Sequence, residues 1–295
     1  MKVFVTGAGL VGSQVARHFG RLGHEVWVLS RFLSGRKPLF EGFPRVTPWA
    51  TDLRGQLNLG GLPSHFDLCV ATAADLAVGS EAEAAGAQKI LENTLLICEL
   101  KNVPKLIYFS SASVAKGFGR HLVSEQADLD LSTHYKKMKA QDELVLLGSA
   151  GLTVTVFRLT APIGIDLPPD RFLRRLIESS LRGQTLLVYP DGTRRQNYVD
   201  TRDIARATQF AAEAGLTGLY NLSGNRTISN LELANMVVET VKSTSYIQFG
   251  EFQDVESGRN FEVSNVKLRR AGFDCVFSIK RSIDWIAKNL RATLD

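Results

Sequence analysis

Cysteine is scarce in this chain, with three residues among 295, namely Cys69, Cys98 and Cys275. They lie far apart, their number is odd, and no CxxC or paired Cys/His spacing is present. Neither a disulfide framework nor a zinc site is therefore supported, and we expect no metal. Thiols without partners suit a reducing compartment, so we expect a cytoplasmic protein.

Long apolar runs are missing as well, since no stretch of the sequence is long enough to span a bilayer. The first residues lead into a strand-like segment rather than a secretory signal. The net charge is +5, but the basic residues are scattered. We therefore expect neither nucleic acid nor a membrane as a partner. The 44% of hydrophobic residues suffice for one large domain or two modest ones.

The sequence does contain an alternation of short apolar runs with amphipathic segments. Residues 2–6 predict a buried strand, residues 11–23 a helix, and this order recurs up to residue 160. Such an order predicts an α/β fold with a doubly wound parallel sheet. After residue 163 a proline-rich connection and shorter elements predict a smaller C-terminal lobe. The predicted boundaries are 1–163 plus 196–223 for the sheet domain and 164–195 plus 224–295 for the lobe.

The first predicted strand is followed by a GxGxxG sequence, in which Gly7, Gly9 and Gly12 enclose Leu10 and Val11. Between a strand and a helix, this spacing is typical of a dinucleotide-binding turn. The first glycine permits the tight turn, the second lets the backbone approach a pyrophosphate, and the third allows close packing of helix on strand. The alternative is an ordinary strand–helix turn that needs glycines only for its geometry.

The end of the second predicted strand bears on the identity of the dinucleotide. NAD-binding proteins usually place Asp or Glu there to bind the ribose 2′-hydroxyl. This chain has Ser30 and Arg31, with Arg36 and Lys37 shortly after. Because a guanidinium binds phosphate in bidentate fashion, this favours NADP over NAD, although NAD stays possible. The alternative is that Arg31 simply begins a solvated loop.

A tyrosine and a lysine, Tyr135 and Lys139, are spaced to share one face of a predicted helix. An ammonium beside a phenol is expected to lower the pKa of that phenol, which could then exchange a proton with a carbonyl oxygen. Upstream, Ser110, Ser111 and Ser113 stand at the end of a predicted strand. Ligands of open α/β sheets bind beyond such strand ends, so a serine there could hold the same oxygen.

Together these features resemble the extended short-chain dehydrogenases/reductases, in the NAD(P)-dependent epimerase/dehydratase branch, over nearly the whole chain. The resemblance implies a Rossmann fold with a substrate-binding lobe. The catalytic residues that it implies are Ser111, Tyr135 and Lys139, followed by the usual acidic residue, Glu143. The further cofactor contacts that it implies are Asp52, Leu53, Ala71, Thr72, Ala73 and Pro162. The substrate contacts that it implies are Ser113, Arg194, Arg195 and Arg259; spacing does not choose between Arg194 and Arg195.

The chain also departs from the family pattern. Its glycine turn is one residue shorter than usual. Ala112 and Ser113 stand where the dehydratases carry an Asp-Glu pair, which argues against sugar dehydration because loss of water needs an acid and a base. Ala161 replaces an Asn that contacts the diphosphate of a nucleotide sugar in many members, and this weakens a nucleotide-sugar assignment. Ile90 stands at the position of the family's Asn in the helix before the serine strand.

Three functions are compatible with the sequence. The leading one is an NADP-dependent oxidoreductase that reduces a keto carbon of a sugar nucleotide or a similar polar metabolite. The second is a nucleotide-sugar epimerase that retains its cofactor, and the third is a non-catalytic NADP-binding sensor. The resemblance further implies a homodimer formed by the helices near 83–100 and 134–150. Their apolar residues could serve that contact or face the sheet, namely Leu91, Leu95, Leu144 and Leu147.

Overall fold

The computed structural model describes residues 1–31, 37–74, 78–251 and 254–294. The strands are, in chain order, β1 Lys2–Thr6, β2 Glu25–Ser30, β3 Val46–Ala50, β4 Leu68–Ala71, β5 Lys105–Ser111, β6 Thr153–Leu159, β7 Ala161–Ile163, β8 Leu186–Val188, β9 Arg195–Asp200, β10 Gly218–Leu222, β11 Thr227–Ser229 and β12 Ile247–Phe249. The helices are α1 Leu10–Arg21, α2 Glu81–Leu100, α3 His134–Leu147, α4 Phe172–Leu181, α5 Thr201–Ala214, α6 Asn230–Val241, α7 Val266–Arg270 and α8 Ile279–Leu294. Short 3₁₀ turns cover Lys37–Phe40 and Ala112–Val114.

A seven-stranded sheet forms the centre of the molecule, in the order β10-β6-β5-β4-β1-β2-β3. All neighbouring pairs are parallel, so the carboxyl ends of the strands meet at one edge. Along β1, Val3 and Val5 pack into one apolar cluster with α1 and α5, whereas Phe4 packs into a second cluster with α2. Both sheet faces are thus covered by helices, which confirms the predicted doubly wound Rossmann fold.

A smaller lobe has its own apolar core, built around α4, α6 and α8. Two small sheets accompany it: β11-β9-β7 and β12-β8. The core of this lobe begins near Ile163, close to the predicted boundary. However, Leu268 and Phe273, which were assigned to the lobe, pack into the cluster around α1 and α5. The division into two domains stays a prediction.

The edge strand β3 is absent from the sequence-based prediction. Its sequence, VTPWA, contains Pro48, and a proline normally argues against a strand. Among the described residues the strand lies at the end of the sheet and pairs on one side only, with β2. An edge position is where a sheet tolerates proline, because one side of the strand needs no ladder hydrogen bonds.

None of the helices within the described residues combines the length and apolarity that a membrane span requires. The same part of the chain contains no cluster of three or more His, Cys, Asp and Glu side chains that could hold a metal ion.

Candidate active site

The glycine turn after β1 is closely packed at two of its three glycines. Gly7 has a φ of +88°, a conformation that side chains other than glycine rarely adopt, and its N–H donates to the Leu29 carbonyl at 2.7 Å. A Cβ on Gly12 would lie 2.0 Å from the Gly7 carbonyl oxygen and 2.4 Å from Oγ1 of Thr72. The turn therefore requires glycine at both positions.

Gly9 differs, because a Cβ built there would meet no atom within 4 Å. It is the N-cap residue of α1, and none of the described side chains caps this helix start. The first N–H groups of a helix have no partners within the helix and favour an anion. Open space beside uncapped N–H groups fits the pyrophosphate of a dinucleotide.

The end of β4 lies directly against this turn. The backbone N–H groups of Thr72 and Ala73 both donate to Oγ1 of Thr6 at 3.1 Å, and Oγ1 of Thr72 donates to the Gly7 carbonyl at 3.1 Å. These hydrogen bonds place the predicted cofactor segment, Ala71 to Ala73, beside the glycines. The strand order explains the contact, since β1 and β4 are neighbours.

Ser30 and Arg31 stand at the carboxyl end of β2, one strand further along the sheet. Nε of Arg31 lies 3.9 Å from a carboxylate oxygen of Asp52, and both side chains are partly exposed. The Leu53 side chain is buried in the core, and its carbonyl accepts a hydrogen bond from Asn93 at 2.8 Å. Any cofactor contact by Leu53 must therefore involve its backbone.

The other predicted residues at this edge are less informative. Arg36 lies outside the described residues, and for Lys37 only the backbone position is described. Pro162 lies in β7, which pairs with β9 through Val199. It is partly exposed, as expected for a residue at the mouth of a cleft.

Three serines lie at the end of β5 and in the turn that follows it, and two of them, Ser111 and Ser113, face each other. Oγ of Ser111 and Oγ of Ser113 are 2.8 Å apart, and the Ser113 N–H donates to Oγ of Ser111 at 3.2 Å. Ser110 points to the opposite side, where its buried hydroxyl donates to Glu143 at 2.5 Å. The alternation of side chains along a strand thus separates a serine with a structural role from the pair at the sheet edge.

Tyr135 lies in the first turn of α3, which begins after Thr133, whose side chain accepts from the Lys136 N–H. Burial raises the pKa of the Tyr135 phenol, while a hydrogen bond with Ser111 acts in the opposite direction. The lowered pKa expected from the sequence is therefore wrong for this structure, because desolvation of the phenolate outweighs the stabilisation that neighbours provide. The link to Ser111 nevertheless brings the phenol to the serine pair.

Lys139 is buried, with 3% exposure, and does not hydrogen-bond Tyr135 among the contacts described. Its Nζ donates to the Tyr108 hydroxyl at 2.7 Å and to the Phe109 carbonyl at 3.1 Å. Burial lowers the pKa of Lys139 to about 8, although the carboxylates of Asp142 and Glu143 oppose this shift. The lysine is thus held against β5 as a cation that deprotonates unusually easily.

The Tyr108 hydroxyl in turn donates to the Asp142 carboxylate. Neither residue was predicted from the sequence. A signal was present, because Asp142 follows Lys139 by three positions and so lies beside it on the helix. The contact with Tyr108 depends on how α3 packs on β5, which the spacing of residues does not reveal.

Glu143 occupies the position of the acidic residue that the family resemblance implies. It forms a buried ion pair with Arg158 of β6, with Nη2 to Oε2 at 2.7 Å and both side chains 3% exposed. Two further hydrogen bonds from Nε of Arg158 complete a bidentate arrangement. This pair fixes α3 on the sheet and so supports the position of Lys139.

The flanking lysines differ from each other. Nζ of Lys136 forms an ion pair with Asp130 at 2.7 Å and is therefore not simply a solvated charge. This bond holds the pKa of Asp130 down at about 2. Lys137, by contrast, is exposed.

The three arginines predicted for substrate binding fall into two groups. Arg194 pairs with Glu256 at 2.6 Å and lies 3.9 Å from Asp254, and Arg259 pairs with the same Glu256 at 3.4 Å. Arg195 instead pairs with Glu232 in the first turn of α6 at 3.0 Å. The structure therefore distinguishes Arg194 from Arg195, which spacing could not.

A segment that follows the serines connects the two parts of the molecule. Gly119 forms an isolated β-bridge with Asn260, and Val123 forms one with Val263. The rings of Phe118 and Phe261 are 5.0 Å apart, and Arg194 lies over the Phe261 ring at 5.2 Å. The chain between β5 and α3 thus links the serine pair to the group around Arg194.

Comparison with known proteins agrees with this geometry. The model of the NAD dependent epimerase/dehydratase family matches residues 3–223. A UDP-N-acetyl-alpha-D-glucosaminuronate decarboxylase from Bacillus cytotoxicus is 27% identical over 88% of this chain and 86% of its own length. A dTDP-glucose 4,6-dehydratase from Streptomyces niveus is 25% identical over 81% of this chain and 77% of its own.

Solved structures show the same fold at lower identity. A UDP-N-acetylglucosamine 4-epimerase from Methanobrevibacter ruminantium superposes with a TM-score of 0.87 at 19% identity, covering 99% of this chain and 98% of its own. A UDP-glucuronic acid 4-epimerase from Bacillus cereus, in complex with UDP-glucuronic acid and NAD, gives 0.84 at 19% identity, covering 99% and 100%.

The chain therefore belongs to the NAD-dependent epimerase/dehydratase family. This confirms the resemblance that the sequence motifs indicated. Together with the relatives above, it also confirms the expectation that the protein is an enzyme of the extended short-chain dehydrogenase/reductase class, rather than a sensor.

Proposed function

We propose that the protein transfers a hydride between NAD(P) and a carbonyl or alcohol carbon of a nucleotide sugar, acting as a keto reductase. The observation that carries the proposal is the convergence of three hydroxyls at the carboxyl edge of β5, since Oγ of Ser111 lies 2.8 Å from Oγ of Ser113 and the Tyr135 phenol is close enough to Ser111 for that residue to act on its pKa. In open α/β sheets this edge is where ligands bind. A phenol can exchange a proton with a substrate oxygen while two serine hydroxyls hydrogen-bond the same oxygen.

Each residue has a distinct role in this proposal. Bound NAD(P) supplies or accepts the hydride. Tyr135 donates a proton to the substrate oxygen during reduction, and its raised pKa keeps it in the protonated form that a donor needs. Ser111 and Ser113 hold that oxygen in place. Lys139 places a positive charge behind the phenol and binds the cofactor ribose.

Dehydration finds less support than hydride transfer. Loss of water needs a second acid/base group beside the catalytic hydroxyl, yet Ala112 is apolar and buried and Ser113 carries only a hydroxyl. Reduction and epimerisation share the same residues and differ in whether the cofactor leaves. The 4-epimerases among the solved structures make epimerisation with a retained cofactor the second candidate.

The cofactor that we propose is NADP, with NAD as the alternative. Support comes from the carboxyl end of β2, where a hydroxyl and a guanidinium, Ser30 and Arg31, replace the carboxylate typical of NAD binders. Nε of Arg31 lies 3.9 Å from a carboxylate oxygen of Asp52, and the 37% exposure of the arginine side chain leaves it accessible to a 2′-phosphate. The curated relatives act on UDP- and dTDP-linked sugars, which supports a nucleotide sugar as substrate.

Arg194 and Arg259 are the residues that we propose for the diphosphate of such a substrate. They share Glu256 as a partner, and Arg194 lies in the group that is connected to the serines through Phe118 and Phe261. Arg195 is assigned to the start of α6 instead, because its partners are Glu232 and the Thr227 carbonyl.

A homodimer and a cytoplasmic location complete the proposal. Leu144 and Leu147 of α3 are 65% and 43% exposed, whereas Leu91 and Leu95 of α2 pack against the sheet. Only the first two of the four leucines can therefore contribute to a contact between copies. The three cysteines are free and buried, which suits a reducing cytoplasm.

The decisive experiment compares Tyr135→Phe with the wild type on nucleotide keto-sugars with NADPH or NADH, and on UDP-glucose and UDP-glucuronic acid with NADP⁺ or NAD⁺. We expect turnover to fall ~10²- to 10⁴-fold while NADPH affinity stays within ~3-fold, because only a proton donor is removed. Consumption of NADPH in step with product indicates a reductase, and conversion without net consumption indicates an epimerase. Tyr246→Phe, at an exposed tyrosine of the lobe, is the matched control. Turnover that persists in Tyr135→Phe would refute the proposal.

A further inference from the structure

Lys139, Tyr108 and Asp142 form a buried hydrogen-bond network below the sheet edge. The donor and the acceptor of each hydrogen bond in it are fixed. An ammonium only donates hydrogen bonds, so the Tyr108 hydroxyl must accept from Nζ of Lys139, which lies 2.7 Å away. That hydroxyl has a single proton, which it donates to the Asp142 carboxylate. A cation and an anion are thus joined through one neutral hydroxyl.

Two carboxylates lie near Lys139, but one of them is already neutralised by an arginine. Both oxygens of Glu143 are used by Arg158, and one also accepts from Ser110. Asp142 is therefore the carboxylate that balances Lys139. Burial makes this balance necessary, because Lys139, Tyr108 and Asp142 are each no more than 6% exposed, so bulk water cannot compensate for a lost charge partner.

A small cavity connects the network to the predicted cofactor segment. Its volume is about 10 Å³, enough for roughly one water molecule, and Tyr108, Lys139 and Asp142 form one side of its wall. Ala71 and Ala73 form another side. The wall contributed by α2 consists of apolar side chains and Thr94, so α2 adds no titratable group there.

We propose that Asp142, acting through the Tyr108 hydroxyl, is a positioning residue that stabilises the charge of Lys139 and fixes its ammonium at the cofactor side of β5. This inference rests on the cofactor-binding role of Lys139 proposed above. The charged and titratable groups around Lys139 are Asp142, Glu143 and Tyr135 on its own helix, Tyr108 on β5, and Arg158 on β6, which neutralises Glu143. Without the Asp142 charge, Lys139 loses its proton at a lower pH.

The test measures the affinity of the purified protein for NADPH and NADH as a function of pH, by fluorescence titration. In the wild type we expect the pH profile of the affinity to have an alkaline limb, which means that affinity weakens as the pH rises through about 8, where Lys139 loses its charge. In Asp142→Asn, which keeps the shape of the side chain but removes its charge, we expect this alkaline limb to move to lower pH by about one unit. Tyr108→Phe removes the bridging hydroxyl and is expected to shift the limb in the same direction.

Thr94→Val is the matched control, because Thr94 lines the same cavity but donates only to the Ile90 carbonyl of its own helix. It should leave the limb in place. If Asp142→Asn, or Tyr108→Phe where the first variant does not fold, binds NADPH with an unshifted limb, the network is merely structural and the inference is wrong.

Lys139→Met distinguishes this failure from a failure of the proposed function. If Lys139→Met binds cofactor like the wild type at every pH, the role of Lys139 itself is refuted, and the inference with it. If Lys139→Met loses affinity but Asp142→Asn shows no shift, only the inference is refuted.

Discussion

Two groups of charged side chains in this enzyme use the same chemistry in opposite surroundings. The buried group, made of Lys139, Asp142, Glu143 and Arg158, lies between α3 and the sheet with 2% to 6% exposure. The lobe group, made of Arg194, Arg259, Asp254 and Glu256, is partly exposed, with Arg194 at 28% and Arg259 at 41%. Buried charges cannot exchange partners without a large desolvation penalty, whereas exposed ones exchange partners at little cost. The first group is therefore suited to fixing geometry and the second to receiving a charged ligand.

The largest expected effect tests the rigidity of the buried group. Glu143→Ala leaves the Arg158 guanidinium buried without its carboxylate, so we expect the free energy of unfolding to fall by ~3–5 kcal/mol. Denaturant titration measures it. The matched change in the lobe group, Glu256→Ala, is expected to cost less than ~1 kcal/mol, because Arg194 and Arg259 are solvated. Similar losses in the two variants would remove the distinction between the groups.

A slightly smaller effect, of about 3 kcal/mol over the full pH window, is expected from the titration of Lys139. Its pKa is about 8 in the folded protein, against 10.5 for an ordinary lysine, so between these values the unfolded chain binds more protons. The stability penalty of the buried ammonium is thus full below pH 8 and disappears as the pH rises through this window. The difference in unfolding free energy between wild type and Lys139→Met should therefore increase with pH. Subtraction cancels the contributions of Cys275 and Tyr198, whose pKa values burial raises. A difference that stays flat would show that Lys139 is not desolvated.

The smallest effect concerns the lobe group as a ligand site. Arg194→Ala is expected to raise KM for UDP-glucose or another accepted nucleotide sugar about 10-fold, with kcat within ~3-fold, because a phosphate contact is made equally in ground and transition states. Steady-state kinetics measures it. Arg195→Ala is the control, since its side chain bonds Glu232 on α6. Equal increases in KM for both variants would contradict the separation of the two arginines.

The same contrast explains which parts of the molecule were predictable from sequence. The turn at Gly7 to Gly12 and the spacing of Tyr135 and Lys139 are local patterns, and the structure places both at the carboxyl edge of the sheet. The direction of the pKa shift of Tyr135 was predicted wrongly, because burial depends on packing between distant segments. Tyr108 was missed for the same reason, since only the pairing of α3 with β5 brings it to Lys139.

The edge strand shows a second limit of local patterns. No strand was predicted over residues 46–50, and the sequence alone does not reveal that Pro48 lies in an edge strand, where a sheet tolerates proline. Hydrogen bonds such as that from the Val26 N–H to the Arg45 carbonyl, and from the Thr51 N–H to the Ser30 carbonyl, show that the odd-numbered residues of this segment bond inward to β2. Pro48, an even-numbered residue, faces outward.

This orientation has a consequence for how copies of the protein meet in solution. The outward side of β3 is the free edge of the sheet, where another chain could otherwise add a strand and begin an aggregate. At the centre of that edge Pro48 offers no N–H and its ring occupies the space that a neighbouring backbone needs. Within the described residues the sheet thus ends at a proline that opposes the addition of a further strand from another chain.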